Sequence, residues 1–423
     1  MKLTPTAVGI MLGGLVTASP ALAQYASPPP QKAPEATQGA APAAAPGKTP
    51  KISSGARKEI VALQAAVNAK DAAAIPAALA AAKAKAKSKD DLYAVGQLQL
   101  KAAVDANDNA AIINGLNAVL TSGFLDPAET LPLYLNLGKL NYNAKAYDQA
   151  SAAFEQMLKI DPNNADAIVM LAETRNGQGR TAEAVTMIQK AIAAKTSAGQ
   201  KADENWYKRA VALAFNAKLP NAPELGRQWV TAYPSPKNWR DTIRIYQTSS
   251  KLDDAALIDS MRLAQATGSL QGENDYFRFA NTLVTKGFAG EAKTVLEQGF
   301  AAKSIDKNKA TFGQLYSLAS TKSQGDRASL DASAASAKSA PAARQAMTTA
   351  EAYYGYGDYQ KAADLFRAAL DKQGVDKDLA NLRLGMSLAR AGDKAGATTA
   401  LNAAGGAQAD VAKLWLAYLA TQA

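Results

Sequence analysis

The sequence contains neither cysteine nor histidine among its 423 residues. Without cysteine there is no disulfide, no thiolate nucleophile and no zinc–thiolate site. Without histidine there is no Ser–His–Asp catalysis and no imidazole metal ligand. We therefore predict that the chain is not an enzyme and has no catalytic residue, bound metal or cofactor, with catalysis by carboxylates or lysine as the alternative left open.

Long apolar runs and nucleotide-binding motifs are also missing. Beyond the N-terminus no segment approaches the roughly 20 apolar residues that cross a bilayer, so no transmembrane segment is predicted. The sequence has no Gly-rich phosphate loop. Aromatic residues make up only 7% of the chain, and no aromatic-rich RNA-binding motif is present. The missing RNA-binding motif, together with the export predicted from the N-terminus, predicts no nucleic-acid partner.

The N-terminus has the features of a secretory signal. Lys2 precedes an apolar stretch from Ala7 to Val16, and the small residues Ala21 and Ala23 form a cleavage pattern. This order predicts a signal peptide over residues 1–23 and export to the periplasm or outside the cell. Residues 24–54, rich in alanine and proline, are predicted to form a disordered linker.

The rest of the chain repeats itself. Alanines recur 33 to 38 residues apart, at Ala150, Ala184, Ala222, Ala255, Ala292, Ala328, Ala362 and Ala397. A period of this length is typical of one helix–turn–helix unit. We predict an all-α fold, an α-solenoid of stacked helix–turn–helix repeats, in which these alanines mark the points where helices cross.

The unit after Pro127 shows the pattern most clearly. An aromatic, a leucine and a glycine lie on its first helix, an alanine and a phenylalanine follow four residues apart on its second, and a proline ends it; these are Tyr134, Leu137, Gly138, Ala150, Phe154 and Pro162. This order resembles the tetratricopeptide repeat (TPR). The resemblance extends over residues 129–405 and is weakest around Ala328. It implies a groove lined by the first helices, in which a protein or peptide partner binds.

Both ends of this region are predicted to be helical. Residues 55–128 are predicted to form divergent repeats, with Asp71 and Asp108 as helix N-caps. Residues 406–423 are predicted to contain a C-terminal capping helix from Ala409 to Thr421, such as the end of a solenoid needs.

The resemblance also selects candidate partner-binding residues on the groove face: Lys139, Tyr142, Asn143, Tyr207, Arg240, Arg244, Gln247 and Asn281. Arg240 and Arg244 lie one turn apart and can jointly hold a carboxylate or phosphate, with an ordinary solvated face as the alternative. Trp229 is added as a stacking platform, or else a core residue.

Together these features predict a non-catalytic binding scaffold of the bacterial cell envelope. The alternative is a protein associated with carbohydrate or peptidoglycan, motivated by the aromatic cluster around Trp229 and the formal net charge of +10. A basic surface attracts anionic glycans or cell wall, although it also serves solubility alone.

Overall fold

A computed structural model describes residues 49–250 and 252–422, and these form two compact units that divide between Ala202 and Asp203. The predicted signal peptide and residues 24–48 of the predicted linker lie outside the described residues. Regular structure in the described part of the chain is helical, apart from one isolated bridge between Ala342 and Gln373. The predicted all-α solenoid is confirmed.

Unit 1 consists of four antiparallel helix pairs. Its helices are α1 Ser54–Asn68, α2 Ile75–Lys85, α3 Lys89–Asp105, α4 Asn109–Thr121, α5 Pro127–Asn143, α6 Tyr147–Ile160, α7 Ala165–Gly177 and α8 Thr181–Ser197.

Unit 2 continues the same pairing and ends on a single helix. Its helices are α9 Glu204–Asn216, α10 Ala222–Ala232, α11 Pro236–Ser249, α12 Asp254–Ala266, α13 Gly272–Thr285, α14 Ala289–Ala301, α15 Ala310–Ser323, α16 Asp326–Ser339, α17 Ala343–Gly355, α18 Tyr359–Ala369, α19 Lys377–Ala391, α20 Lys394–Ala403 and α21 Ala409–Thr421, with a 3-10 turn over Gly406–Gln408. The predicted terminal helix has the bounds of α21.

Polar side chains set several of the helix starts. The carboxylate of Asp108 accepts hydrogen bonds from the backbone N–H groups of Ala110 and Ala111, so it caps α4 as predicted. Asp71 instead accepts from the N–H groups of the turn that precedes α2, and α2 begins four residues later. The N-cap position of α2 is therefore Ala74 and not Asp71 as predicted: Asp71 caps the turn that leads into α2, and its C=O accepts from the Ile75 N–H at 3.0 Å.

The alanine repeat marks the second helix of eight successive pairs, from α6 to α20. Six of the eight alanines are fully buried, whereas Ala255 is half-buried and Ala328 is exposed. The predicted crossing is therefore wrong at Ala328, because Leu330 and Ala337 provide the buried face of α16. In the clear unit Gly138 has the predicted role, since a Cβ there would overlap the ring of Phe154.

Packing in unit 1 is local. The substantial helix contacts among its described residues join helices no more than two apart in the chain. Its apolar cores follow the same rule: one joins Leu63 to Val95, the next joins Leu100 to Leu137, and another joins Phe154 to Leu171. This is the nearest-neighbour stacking expected of a solenoid.

Packing in unit 2 is not local. Helix α21 contacts α10 and α12, and α14 contacts α17. One apolar core accordingly runs from Val230 and Trp239 to Leu414 and Trp415. The second helices α10, α12 and α14 thus lie against the helices of the last repeats, and unit 2 closes on itself.

No helix in the described part of the chain is both long and apolar enough to span a membrane.

Candidate partner-binding faces and a buried charge cluster

The first candidate face belongs to α5 in unit 1. Helix α5 starts at a capping box in which Glu129 accepts a hydrogen bond from the N–H of Asp126 at 2.8 Å. Near its end Lys139 and Tyr142 are half-buried and Asn143 is exposed. The Tyr142 ring meets the Tyr147 ring edge-on, with centroids 5.7 Å apart. The structure therefore places these three predicted residues together, with polar groups at the surface.

The second candidate face lies on α11 and α13 in unit 2. Arg240 Nε lies 3.2 Å and Arg244 Nη2 lies 3.4 Å from the two carboxylate oxygens of Asp275. The structure thus brings the two arginines to one carboxylate, as their spacing suggested, but this carboxylate is the protein's own. Gln247 lies beside them and donates to Ser260 Oγ at 2.9 Å. Asn281, farther along α13, is exposed.

Trp229 and Tyr207 are core residues in this structure. Trp229 is 0% exposed and Tyr207 is 6% exposed. The Trp229 indole N–H donates to Glu204 Oε1 at 3.1 Å, and Asn238 Nδ2 donates to the same oxygen at 2.9 Å. Trp229 therefore ties α10 to α9 and offers no ring face on which a ligand can stack.

The pKa values of the two ionisable groups around that tryptophan shift in opposite directions. Burial raises the pKa of the Tyr207 hydroxyl. Burial also acts to raise the pKa of Glu204, but hydrogen bonds from Lys208, Trp229 and Asn238 outweigh it and lower that pKa. Glu204 therefore stays ionised as the acceptor that holds α9, α10 and α11 together.

A cluster of five charged side chains, absent from the sequence predictions, lies inside unit 2. Its members are Asp259 and Arg262 on α12, Glu291 on α14, Glu351 on α17 and Arg383 on α19, and we call them the charge cluster. Their side chains are at most 8% exposed. The cluster therefore joins four helices from four different repeats.

Arg262 is the centre of the charge cluster. Its Nε and Nη2 donate to the two oxygens of Glu291 at 2.8 and 2.6 Å, and Nη2 also donates to Glu351 at 2.6 Å. Its Nη1 donates to Asp259 at 3.0 Å. The guanidinium lies over the Tyr354 ring at 4.6 Å. Arg383 contacts Glu351 directly and Asp259 at 3.4 Å.

The pKa values of the three carboxyl groups in the charge cluster do not all shift in the same direction. Burial raises the pKa of Asp259, and the attraction of Arg383 and Arg262 only partly offsets it. Burial likewise raises the pKa of Glu291 despite its contact with Arg262. Burial acts in the same direction on Glu351, but Arg262 and Arg383 together outweigh it and lower its pKa.

The sequence did carry a weak signal for this cluster. Asp259 and Arg262 interrupt the apolar residues Ile258, Met261 and Leu263 on a helix with little polar surface. Charged residues are seldom fully buried without partners, but the partners lie up to 124 residues away. Local periodicity gives no indication of such contacts.

A cavity of about 340 Å³ lies beside Arg383. Its lining includes the apolar side chains of Phe288 and Leu379 and the ion pair between Lys286 and Asp254, whose charged atoms are 2.7 Å apart. No group of three or more acidic side chains within residues 49–250 and 252–422 is arranged to hold a metal ion. The cavity therefore offers an ion-paired, partly apolar recess beside the charge cluster.

The fold and these faces define a class of protein, an α-solenoid of TPR-like repeats. Residues 142–201 match the family model of the tetratricopeptide repeat. This segment starts at Tyr142, near the end of α5, and includes α6 to α8, the part of the chain where the repeat pattern is clear. The predicted resemblance to the TPR is confirmed there.

Comparison with whole proteins adds little. A search of curated proteins found no match. Among solved structures, that of Naa15/Naa10 bound to HypK-THB is similar at 14% identity and a TM-score of 0.30, over 84% of this chain and 63% of that one. This chain thus spans less than two thirds of that relative, and a similarity at this level supports no inference about function.

Proposed function

We propose that this protein is a non-catalytic scaffold that binds a protein or peptide partner on the first helices of its repeats. The observation that carries the proposal is the TPR match over residues 142–201, which coincides with helix pairs stacked as in a solenoid. Such an array presents preorganised side chains on rigid helices, and an extended or helical segment can lie along them. The absence of cysteine and histidine supports the non-catalytic part.

The α5 face is the better candidate for this contact. Lys139 and Asn143 lie on a first helix of a unit whose packing is local, with polar atoms at the surface. On the α11–α13 face, by contrast, Arg240 and Arg244 are already paired with Asp275. A partner there has to compete with an internal ion pair, whereas a partner on α5 does not.

The proposed location is the bacterial cell envelope, on the periplasmic side. Its support is the signal peptide predicted to end at Ala23. Mass spectrometry of the chain isolated from fractionated cells tests this: we expect an N-terminus at Gln24 in the periplasmic fraction. An uncut chain in the cytoplasm would contradict it.

Site-specific photo-crosslinking in intact cells tests the binding function. A photoreactive residue replaces Asn143 on α5 or Asn281 on α13, with matched exposed positions on second helices, Gln149 and Glu297, as controls. We expect a discrete crosslinked protein at Asn143 and none at Gln149. Equal crosslinking at all four positions, or none, would count against a first-helix binding face.

A charge variant sharpens that experiment. Lys139→Glu should abolish the crosslink at Asn143, because it reverses the charge beside the reporter. Lys159→Glu, at an exposed position on the second helix α6, serves as control and should leave it intact. Loss in both variants would indicate nonspecific attraction to a basic surface.

The carbohydrate-binding alternative gains no support from Trp229 and Trp239, two of the aromatic side chains that suggested it. Trp229 and Trp239 are 0% and 3% exposed, so neither offers a stacking surface to a sugar ring.

A further inference from the structure

The charge cluster contains more acidic groups than basic groups. Three carboxylates, from Asp259, Glu291 and Glu351, face two guanidiniums, from Arg262 and Arg383. Arginine stays protonated in proteins, so the positive charge is fixed at two. If all three carboxyls were ionised, the buried cluster would carry one uncompensated negative charge.

Among the described residues, the three carboxylates form ion pairs with Arg262 and Arg383 and with no third cation. From α17 the cluster is faced by Tyr354, whose hydroxyl stays protonated because burial raises its pKa far above the ordinary value. The cavity beside Arg383 contributes Asp253, Asp254 and Lys286, which together add one more negative charge. Arg390, on α19, lies over the Tyr359 ring at 4.9 Å and donates to its hydroxyl.

An unpaired charge in a water-free interior is costly enough that a titratable group takes up a proton instead. We propose that the charge cluster is a proton-operated latch, which binds one proton among its three carboxyls near neutral pH and loosens α17 and α19 from α12 and α14 when that proton leaves. The raised pKa values of Asp259 and Glu291 agree with this assignment. The latch is independent of the proposed binding function.

The sign of the effect follows from linkage. A carboxyl that keeps its proton in the folded chain but loses it in the unfolded chain stabilises the fold most at low pH. That stability is lost as the pH rises through the folded pKa. With one such proton, the unfolding equilibrium constant should rise about tenfold per pH unit above about pH 5, where an unfolded carboxyl has ionised.

Tryptophan fluorescence measures this constant for unit 2 alone. The four tryptophans, Trp206, Trp229, Trp239 and Trp415, all lie in unit 2. Urea unfolding of the full chain, followed by this signal from about pH 5 to 8, should show the tenfold rise in the wild type. Glu291→Gln leaves two carboxyls for two guanidiniums and should flatten the dependence. Glu297→Gln, at an exposed site on the same helix, should keep it.

Infrared spectroscopy of the wild type keeps the proposal testable if Glu291→Gln does not fold. At about pH 6.5 ordinary carboxyls are ionised, and we expect the C=O stretch of one protonated carboxyl per chain. Absence of that band, or an unfolding constant in the wild type that does not rise with pH, would overturn the proposal. The same slope in Glu291→Gln as in the wild type would overturn it too.

Discussion

Units 1 and 2 stack similar helix pairs but hold them together differently. In the described part of unit 1 each helix depends on its neighbours in the chain, and the cores are a series of local clusters. In unit 2, α12, α14, α17 and α19 meet in the charge cluster, and α21 packs against α10 and α12. The comparison teaches that one repeat pattern can give an array with local coupling or one that is locked by contacts between distant repeats.

Removing the centre of the charge cluster should have the largest effect. Arg262→Met leaves Asp259, Glu291 and Glu351 buried without their main partner, and breaking a buried ion pair in this way costs about 3–5 kcal/mol. Urea unfolding followed by tryptophan fluorescence should show the loss. The control is Arg367→Met, which removes an arginine that is 55% exposed and paired three residues away; it should cost less than about 1 kcal/mol. If the two substitutions lowered the free energy of unfolding equally, the charge cluster would not be a main source of stability in unit 2.

A cavity created by substitution in unit 1 should lower the free energy of unfolding by a comparable or smaller amount. Its effect should be confined to the helices that contact the substituted residue. Leu116→Ala truncates a buried side chain on α4 and should cost about 2–5 kcal/mol. Hydrogen exchange with peptide resolution should show faster exchange in α3, α4 and α5 and little change in α7 and α8. Leu92→Ala, at a residue that is 39% exposed, is the control. Faster exchange throughout unit 1 would show that its packing is not local.

Lowering the pH should destabilise unit 1, because Asp91 becomes protonated. Burial acts to raise the pKa of Asp91, but hydrogen bonds from the backbone and side chain of Ser53 and from Ser88 outweigh it and lower that pKa to about 2. A lowered pKa stabilises the fold above the unfolded value near 4, and this stability is lost as the pH falls towards 2.

The shift of Asp91 corresponds to about 2 kcal/mol. Asp91→Asn should therefore destabilise α1 and α3 by about that amount at pH 6 and by much less near pH 2. Hydrogen exchange of these helices at the two pH values measures the difference, with Asp90→Asn as the control, because Asp90 is a half-buried neighbour that accepts a single hydrogen bond from the Lys51 N–H. A variant that costs as much at pH 2 as at pH 6 would rule out the charge as the cause. This dependence runs opposite to that expected for the latch in unit 2.

The smallest effect should come from a helix cap. Asp108→Ala removes the acceptor for two backbone N–H groups of α4 and should cost about 1 kcal/mol. Exchange should quicken in the first turn of α4 only. Asp148→Ala, at an exposed first-turn residue of α6 that does not cap, should change less, and faster exchange along the whole of α4 would contradict a local cap.

Local features of the fold could be predicted from the sequence. The repeat of alanines located eight second helices, and helical spacing located α21 from Ala409 to Thr421, because both depend on residues close together in the chain. The exposed position of Ala328 could not be predicted, since alanine is frequent and fits either face of a helix.

The buried state of Trp229 and the charge cluster could not be predicted for a different reason. The burial of Trp229 depends on how closely α10 packs against its neighbours α9 and α11. The charge cluster depends on which helices meet after the chain has turned through several repeats. The charged residues of the cluster lie between positions 259 and 383, and the hydrophobic pattern of one repeat carries no information about another that far away. The candidate face on α5 could be predicted from the sequence, because the repeat pattern itself identifies the first helix of each pair.

Native-state hydrogen exchange of the full-length wild type tests the comparison of the two units most directly. In the wild type we expect the slowest-exchanging amides of α12, α14, α17 and α19 to open with one common free energy. In Arg262→Met this opening free energy should fall by the same amount in all four helices, while the opening free energies of α3 to α8 stay unchanged. If α17 and α19 exchange independently of α12 and α14 in the wild type, the charge cluster does not lock unit 2 and the account is contradicted.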